Sequence, residues 1–241
     1  MKYALWILLT AALTGPLAFA QVGAKVADAI IPVVGSTHGQ SNAFFKTELQ
    51  LTNTTDVTSG GWLIYRPSGL VRHYELAAFA TKSFADVIGE MGGAGLGSLD
   101  VLVDGGTLPA IVARAYDDQP AGTTGVSVPA IPIDDVLSTN DRGTLIAPRD
   151  PTRYRFNIGV RALDAATLDI IVRSANGNTR NARELTYDAH EFEQLPANAF
   201  AGIALQSDDS IEVRVAGGSA IVYATTVDNV TNDGVIQVLR R

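Results

Sequence analysis

"SLDVLVDGG" (residues 98–106) and "SIEVRVAGG" (residues 210–218) match almost position for position across the chain. In the first, Leu99, Val101 and Val103 alternate with Asp100, and Gly105-Gly106 follow. Period-two alternation of this kind marks a strand with one face in a core, and a Gly pair marks the turn that ends it. The question is whether the second stretch is a chance echo or the same strand of a unit made twice.

Three further matches occur in the same order. "FKTELQL" (45–51) parallels "YRFNIGV" (154–160), and "LIYRPSG" (63–69) parallels "IVRSANG" (171–177). "ARAYDDQPAG" (113–122) parallels "ATTVDNVTND" (224–233). The offsets stay between about 108 and 112 residues, so the chain reads as one unit repeated. Phe45, Thr47, Leu49 and Leu51 alternate with Lys46, Glu48 and Gln50, and Leu168, Ile170 and Val172 alternate with Asp169 and Arg173. Gly and Pro clusters punctuate the runs. About seven short strands in about 110 residues predict an immunoglobulin-like β-sandwich. The fold class expected is therefore all-β: two tandem immunoglobulin-like β-sandwich domains with one short helix in the first.

That helix is expected after Ser83 as N-cap, with Asp86 reaching back, because Phe84, Val87, Ile88 and Met91 share one face and Gly92-Gly93 ends it. It reads as a plug over one end or edge of the first sandwich. The corresponding stretch of the second unit contains Pro196, so a helix there should be short or absent. Turn-rich sequence between residues 130 and 153 is the expected linker, with the second unit's first strand at about Thr144–Ala147.

The first twenty residues differ from the rest. Lys2 gives a positive start, Leu5 to Leu13 an apolar core, Gly15-Pro16 a break, and Ala18-Phe19-Ala20 a small-x-small cleavage site before Gln21. This is the pattern of a secretory signal peptide. The division expected is 1–20 signal peptide, 21–132 first sandwich and 133–241 second sandwich. No later apolar run approaches the roughly 20 residues of a membrane helix, so no transmembrane segment is expected in the mature chain. The formal net charge is −7, with 18 Lys and Arg scattered rather than clustered. Nucleic-acid binding requires a basic patch and is set aside. The absence of cysteine excludes disulfide scaffolds, thiolate zinc sites and a cysteine nucleophile.

"IPVVGSTHGQSNAFFKTELQLTN", "LAAFATKSFADVIGEMGGAGLGSLDV", "ARAYDDQPAGTTGVSVPAIP" and "IVYATTVDNVTNDGVIQV" together resemble an uncharacterised family of exported bacterial tandem immunoglobulin-like β-sandwich proteins. The likeness covers nearly all of the chain after residue 20. It departs where the family has an aromatic after "AGT": here the run is Thr124-Gly125-Val126-Ser127-Val128-Pro129. The resemblance implies architecture and export, and it brings no catalytic residues with it.

Candidate chemistry is sparse. "GEMGGAGLGS" (89–98) has a glycine-rich look but lies between a helix and a strand, the reverse of a phosphate-binding turn. His38, His73 and His190 lack close metal-ligand spacing, and no G-x-S-x-G elbow is present. Trp62 and Tyr65 are three apart in one strand, hence on opposite faces, and form no flat sugar platform. Asn53 and Asn229 begin formal glycosylation sequons. His190 with Glu191 and Glu193 is set aside for lack of ligand spacing, and the repeated turn supplies the cation candidates: Asp117 and Asp118 in the first copy, and Asp228, Asn229, Asn232 and Asp233 in the second. A Ca²⁺ site needs six or more oxygens, whereas Asp and Asn at a strand exit also serve as structural corners that accept backbone N–H groups two residues on. The corner reading is preferred, with no metal, cofactor or catalytic residue assigned.

The function expected is that of an exported, non-catalytic structural or binding module, secreted or periplasmic, with the cell surface as one setting. Its partner would be an extracellular protein or a glycan. A carbohydrate- or polymer-binding protein is the alternative, and a secreted hydrolase or protease inhibitor stands third.

Overall fold

The computed structural model describes residues 27–39, 43–119 and 122–241. The signal-peptide reading and its cleavage point near Gln21 lie outside these residues. The first half contains β1 (Ala29–His38), β2 (Phe44–Thr52), β3 (Ser59–Arg66), β4 (Leu70–Leu76), β5 (Thr81–Phe84), α1 (Val87–Glu90), β6 (Gly95–Val103), β7 (Ala110–Gln119) and β8 (Gly122–Val128). A connection follows, with β9 (Ile131–Pro132), a single 3-10 turn at Ile133–Asp135 and β10 (Leu137–Ser138). The second half contains β11 (Arg142–Ile146), β12 (Tyr154–Ala162), β13 (Ala166–Arg173), β14 (Thr179–Tyr187), β15 (Phe192–Pro196), α2 (Ala197–Ala201), β16 (Ser210–Gly217), β17 (Ser219–Asp228) and β18 (Gly234–Val238). The protein is all-β and sandwich-like, and the strand pairings described are antiparallel.

Four sheets result. The first runs β4-β3-β6-β1, and the second has β2 between β5 and β7, with β8 beyond β7. The end of β1 crosses to the second sheet: Thr37 and His38 pair with Phe45 and Phe44, past an irregularity between Ile31 and Val34 that contains Pro32. A proline is tolerated in such a strand where the ladder is already broken. The third sheet has β12 between β15 and β17, with β10 and β18 on the far edge of β17. The fourth runs β11-β16-β13-β14. The strand orders of the two halves correspond element for element, β4-β3-β6-β1 with β14-β13-β16-β11 and β5-β2-β7-β8 with β15-β12-β17-β18.

The alternation works as expected on the outer members of this set. In β2, Thr47, Leu49 and Leu51 are buried and their neighbours are partly exposed. In β13, Leu168, Ile170 and Val172 point into the second core while Asp169 and Arg173 do not. Trp62 and Tyr65 do lie on opposite faces, Tyr65 in the first core and Trp62 outside it.

β1 and β6 depart from that rule. Residues 29–36 are buried without a break, and so are residues 97–103. Continuous burial means that both faces of the sheet are covered. Leu63, Leu99 and Val101 point towards the second sheet in one cluster. Ile30, Ile64 and Leu102, on the opposite face, pack with Ile221 of β17 in another. On β17 and β12 the pattern is the same. Ala220, Val222, Ile158 and Val160 face the fourth sheet, whereas Ile221 and Tyr223 face the first half. The sheets therefore stack in the order second, first, third, fourth, and the two halves share a buried contact. Asp100, expected on the solvent face of its strand, is only 4 % exposed because the third sheet covers it.

The helix near residue 84 is shorter than its periodicity implies. Ser83 is not its cap. Ser83 pairs with Gln50 and Phe84 with Leu49, so the strand runs through the expected first turn and buries Phe84 in the core. Asp86 is the N-cap, accepting from Gly89 N at 3.1 Å, and Glu90 Oε1 reaches back to Ala85 N at 3.0 Å. Val87 and Ile88 still plug the space beside β1 and β2. A second short helix, α2, forms in the second half. Pro196 does not interrupt it but precedes it, at a position where no N–H is required, and Gly202 closes it in the left-handed region at φ 68°. The second half's first strand, expected at Thr144–Ala147, runs Arg142–Ile146. Among the described residues no helix is long and apolar enough to cross a membrane.

Candidate functional site

The six oxygen-bearing residues of the repeated turn do not come together as one site. Asp117 is not at a turn at all. It lies inside β7, opposite Phe45 and Thr124, because β7 continues to Gln119 before the hairpin into β8. It is buried, and its Oδ1 accepts the N–H of Phe44 at 2.9 Å while Oδ2 accepts Gln119 Nε2 at 2.9 Å. It therefore ties down the start of β2 rather than its own exit. Asp118 points outward, 3.8 Å from Lys46 Nζ.

The second copy behaves as a strand-exit corner. Asp228 Oδ1 accepts Val230 N at 2.8 Å and Thr231 N at 3.1 Å, and Oδ2 accepts Arg153 Nε at 2.9 Å. Arg155 donates to Asn229 Oδ1 at 3.0 Å and to Asn232 Oδ1 at 2.8 Å. Asp233 Oδ1 accepts Gly234 N at 3.0 Å. Two guanidinium groups already stand against the oxygens a cation would need. Among the described residues no cluster of three or more His, Asp or Glu is placed to hold a metal ion.

The backbone N–H of Val230, the Arg153 side chain and the N–H of Thr231 hold the Asp228 carboxyl below its ordinary 3.8. A depressed carboxylate pKa contributes stability above the unfolded value and loses it as pH falls through the lower folded value. Asp228→Ala is expected to lower the melting temperature by about 2–4 °C near pH 7. The loss should be equal in EDTA and in millimolar Ca²⁺, and it should shrink as pH drops below 3.8. A calcium-dependent rise of the wild-type melting temperature, absent in the variant, would make the turn a cation site.

The sequon at Asn53 is closed. Its side-chain amide donates to Val57 O at 2.7 Å, Ala77 O at 3.0 Å and Leu76 O at 3.3 Å, pinning two loops together, and the residue is buried. The histidines stay apart in function. His38 packs edge-on against Phe44, and His73 against Trp62. His190 lies elsewhere, at a cleft between the halves.

Of that cleft's lining the sequence reading weighed His190 alone, and only as a metal ligand. The cleft measures about 420 Å³, within the range of ligand pockets, and its wall includes Arg66, Asp100, Arg161 and His190. The register explains the grouping. Ile64 pairs with Asp100, which puts Arg66 one diagonal step away on the same outer face, and Arg161 comes from the facing side of β12. Asp100 Oδ2 accepts Arg66 Nε at 2.9 Å, and Arg161 Nη2 lies 3.2 and 3.1 Å from the two carboxylate oxygens. Arg161 is 1 % exposed. Its Nη1 donates to Ala162 O, and its Nε finds no acceptor. Burial pulls the Arg161 guanidinium below its ordinary value against the opposing pull of Asp100.

His190 is lowered too, first by partial burial and then by the Arg66 and Arg161 charges, against weaker upward pulls from Asp100 and Asp164. A second cleft between the halves, of about 300 Å³, is lined mostly by apolar groups, with Lys46, Arg155, Asn157 and Gln194 at intervals. Asp100 stands between Leu99 and Val101 and Arg161 between Val160 and Ala162, but no single strand shows that these charges meet Arg66 in one cleft. No protein-family model matches the chain, and no curated protein does.

Proposed function

We propose that the protein is an exported, non-catalytic binding or structural module outside the cytoplasm, built as two tandem sandwiches of immunoglobulin-like size and layering. The order β1-β6-β3-β4 against β8-β7-β2-β5 differs from the ABED and CFG sheets of immunoglobulin constant domains, so the likeness is one of architecture. The exported tandem-sandwich family named above belongs to the same proposal. One observation carries the non-catalytic reading. The buried acid lining the polar cleft, Asp100, has both oxygens taken up by guanidinium groups, so it is committed to an ion pair that joins the halves and has no free oxygen aimed at a substrate. The hydroxyls of Ser138 and Ser219 are likewise spent on Asp141 and Asp164.

Two measurements test this. N-terminal sequencing of the protein recovered outside the cytoplasm should begin near Gln21; a cytosolic pool retaining Met1 overturns the export. Purified protein should turn over no ester, glycoside or peptide substrate. Turnover abolished by His190→Ala or Asp164→Asn would make it an enzyme.

A further inference from the structure

We propose that the polar cleft between the first and third sheets is a binding site for a small monocarboxylate, whose carboxylate meets the Nη groups of Arg66 in the field of the buried Arg161 while its carbon skeleton lies along Ile30, Val136 and Leu163. This deepens the binding-module reading and rests on it.

The argument begins with charge. Arg66 and Arg161 share one buried counter-ion, Asp100, which leaves one positive charge over, with Arg161 fully buried and the Arg66 side chain 22 % exposed. A buried charge without a full partner is costly, and where one persists it calls for an explanation such as an absent ligand. The donors point the same way. Arg66 commits its Nε to Asp100, and no described protein group takes its two Nη groups. Arg161 keeps an unpartnered Nε out of reach of solvent, so this guanidinium is under-satisfied and acts on a ligand through its charge rather than through that atom. Arginine forks fit carboxylates in planar, two-bond geometry. His190, on an exposed turn, is lowered by partial desolvation and the two guanidinium charges and stands at the same wall with one further N–H.

The rest of the lining limits the ligand. Ile30, Val136 and Leu163 give one side of the cleft an apolar surface that suits a short hydrocarbon or aromatic ring. Asp164 and Asp134 stand at the rim, exposed, and would repel a second negative charge. Arg241, also at the rim, is already paired with Asp141 at 3.1 Å. One excess positive charge inside and two acids outside favour a monoanion over phosphate, a nucleotide or a sulfated glycan. The volume, about 420 Å³, suits a ligand the size of benzoate with water beside it.

The experiment is calorimetric titration of the purified chain with butyrate and benzoate, alongside butyramide, benzamide and inorganic phosphate. Both carboxylates should bind with a Kd of about 1 mM or tighter and raise the melting temperature as their concentration passes that value. The two amides should do neither. Arg66→Gln, with its circular dichroism unchanged, should weaken benzoate binding by about 10-fold or more. Should that variant fail to fold, His190→Ala, on an exposed turn, serves instead and should weaken binding by about 3-fold or more. No carboxylate binding by folded protein, equal binding of the amides, a preference for phosphate, or no effect of either variant would each overturn the site. None of these results bears on the N-terminal sequence or the turnover screen, so the broader reading stands or falls separately.

Discussion

Asp100→Ala should be among the most damaging single substitutions in this protein, at about 3–5 kcal/mol. The carboxylate is the counter-ion for two guanidinium groups, one of them 1 % exposed. Removing it leaves Arg161 buried without compensation and places two like charges in one covered interface. Urea unfolding should show the loss as a lower midpoint with an unchanged slope, since the folded shape is kept. It should also be nearly independent of added salt, because a buried pair is poorly screened. The pair's geometry gives a control. Asp100→Leu combined with Arg161→Met removes both charges together and should recover most of the loss, as buried ion pairs replaced by apolar groups of similar size often do. A single-variant cost below about 1 kcal/mol would mean that water reaches the pair and that the halves are not packed there as described.

The second large effect is expected at Gly159. It sits opposite Tyr223 in the β12–β17 ladder, and a Cβ there would fall 2.1 Å from the ring's Cζ. The ring cannot simply swing aside. It is fully buried between the halves, and its hydroxyl donates to Gln194 Oε1 at 2.8 Å. Gly159→Ala should therefore cost at least about 1–3 kcal/mol by overpacking. Tyr223→Ala should cost about 3–5 kcal/mol through the cavity it leaves. The double variant should be less damaged than the sum of the two, by about 1–3 kcal/mol, because the added methyl then enters vacated space. Strict additivity would show that the clash is relieved elsewhere.

The elements that were legible in the sequence are those with one wet face. β2 and β13 announced themselves by alternation, and the repeat "SLDVLVDGG"/"SIEVRVAGG" corresponds to β6 and β16, equivalent positions in equivalent strand orders. Those signals are local, since a strand half in water must alternate. Asp100 was misread for the same reason. In a lone sandwich an acid between Leu99 and Val101 faces solvent, and nothing within one strand says that another sheet lies over it. Leu102 was the missing hint: an apolar residue on the face assigned to water, as are Ile30, Ile64 and Ile221. Asp117 shows a different limit. Its sequence context matches that of Asp228, but two more residues in the hairpin leave it mid-strand, and its partner, the N–H of Phe44, is 73 residues away. Ser83 lost its cap role to Phe84, whose burial against Leu49 outweighed the helical periodicity. The polar cleft was illegible because its charges come from three strands of two halves.

The covered face of the first sheet also constrains the order of events when the chain is made. Ile30, Ile64 and Leu102 belong to the half synthesised first, yet their cover includes Ile221, which is synthesised more than a hundred residues after Leu102. Until that strand arrives, a nascent chain that has already formed its leading sandwich carries an apolar flank and an acid, Asp100, still awaiting Arg161. Such a surface is open to any other apolar chain in reach, including a second nascent copy. Crowding on the ribosome is thus a more dangerous moment for this protein than any time after its last strands have docked. A chaperone that shields the leading half until the last strands emerge would act on a hazard written into the stacking of its sheets.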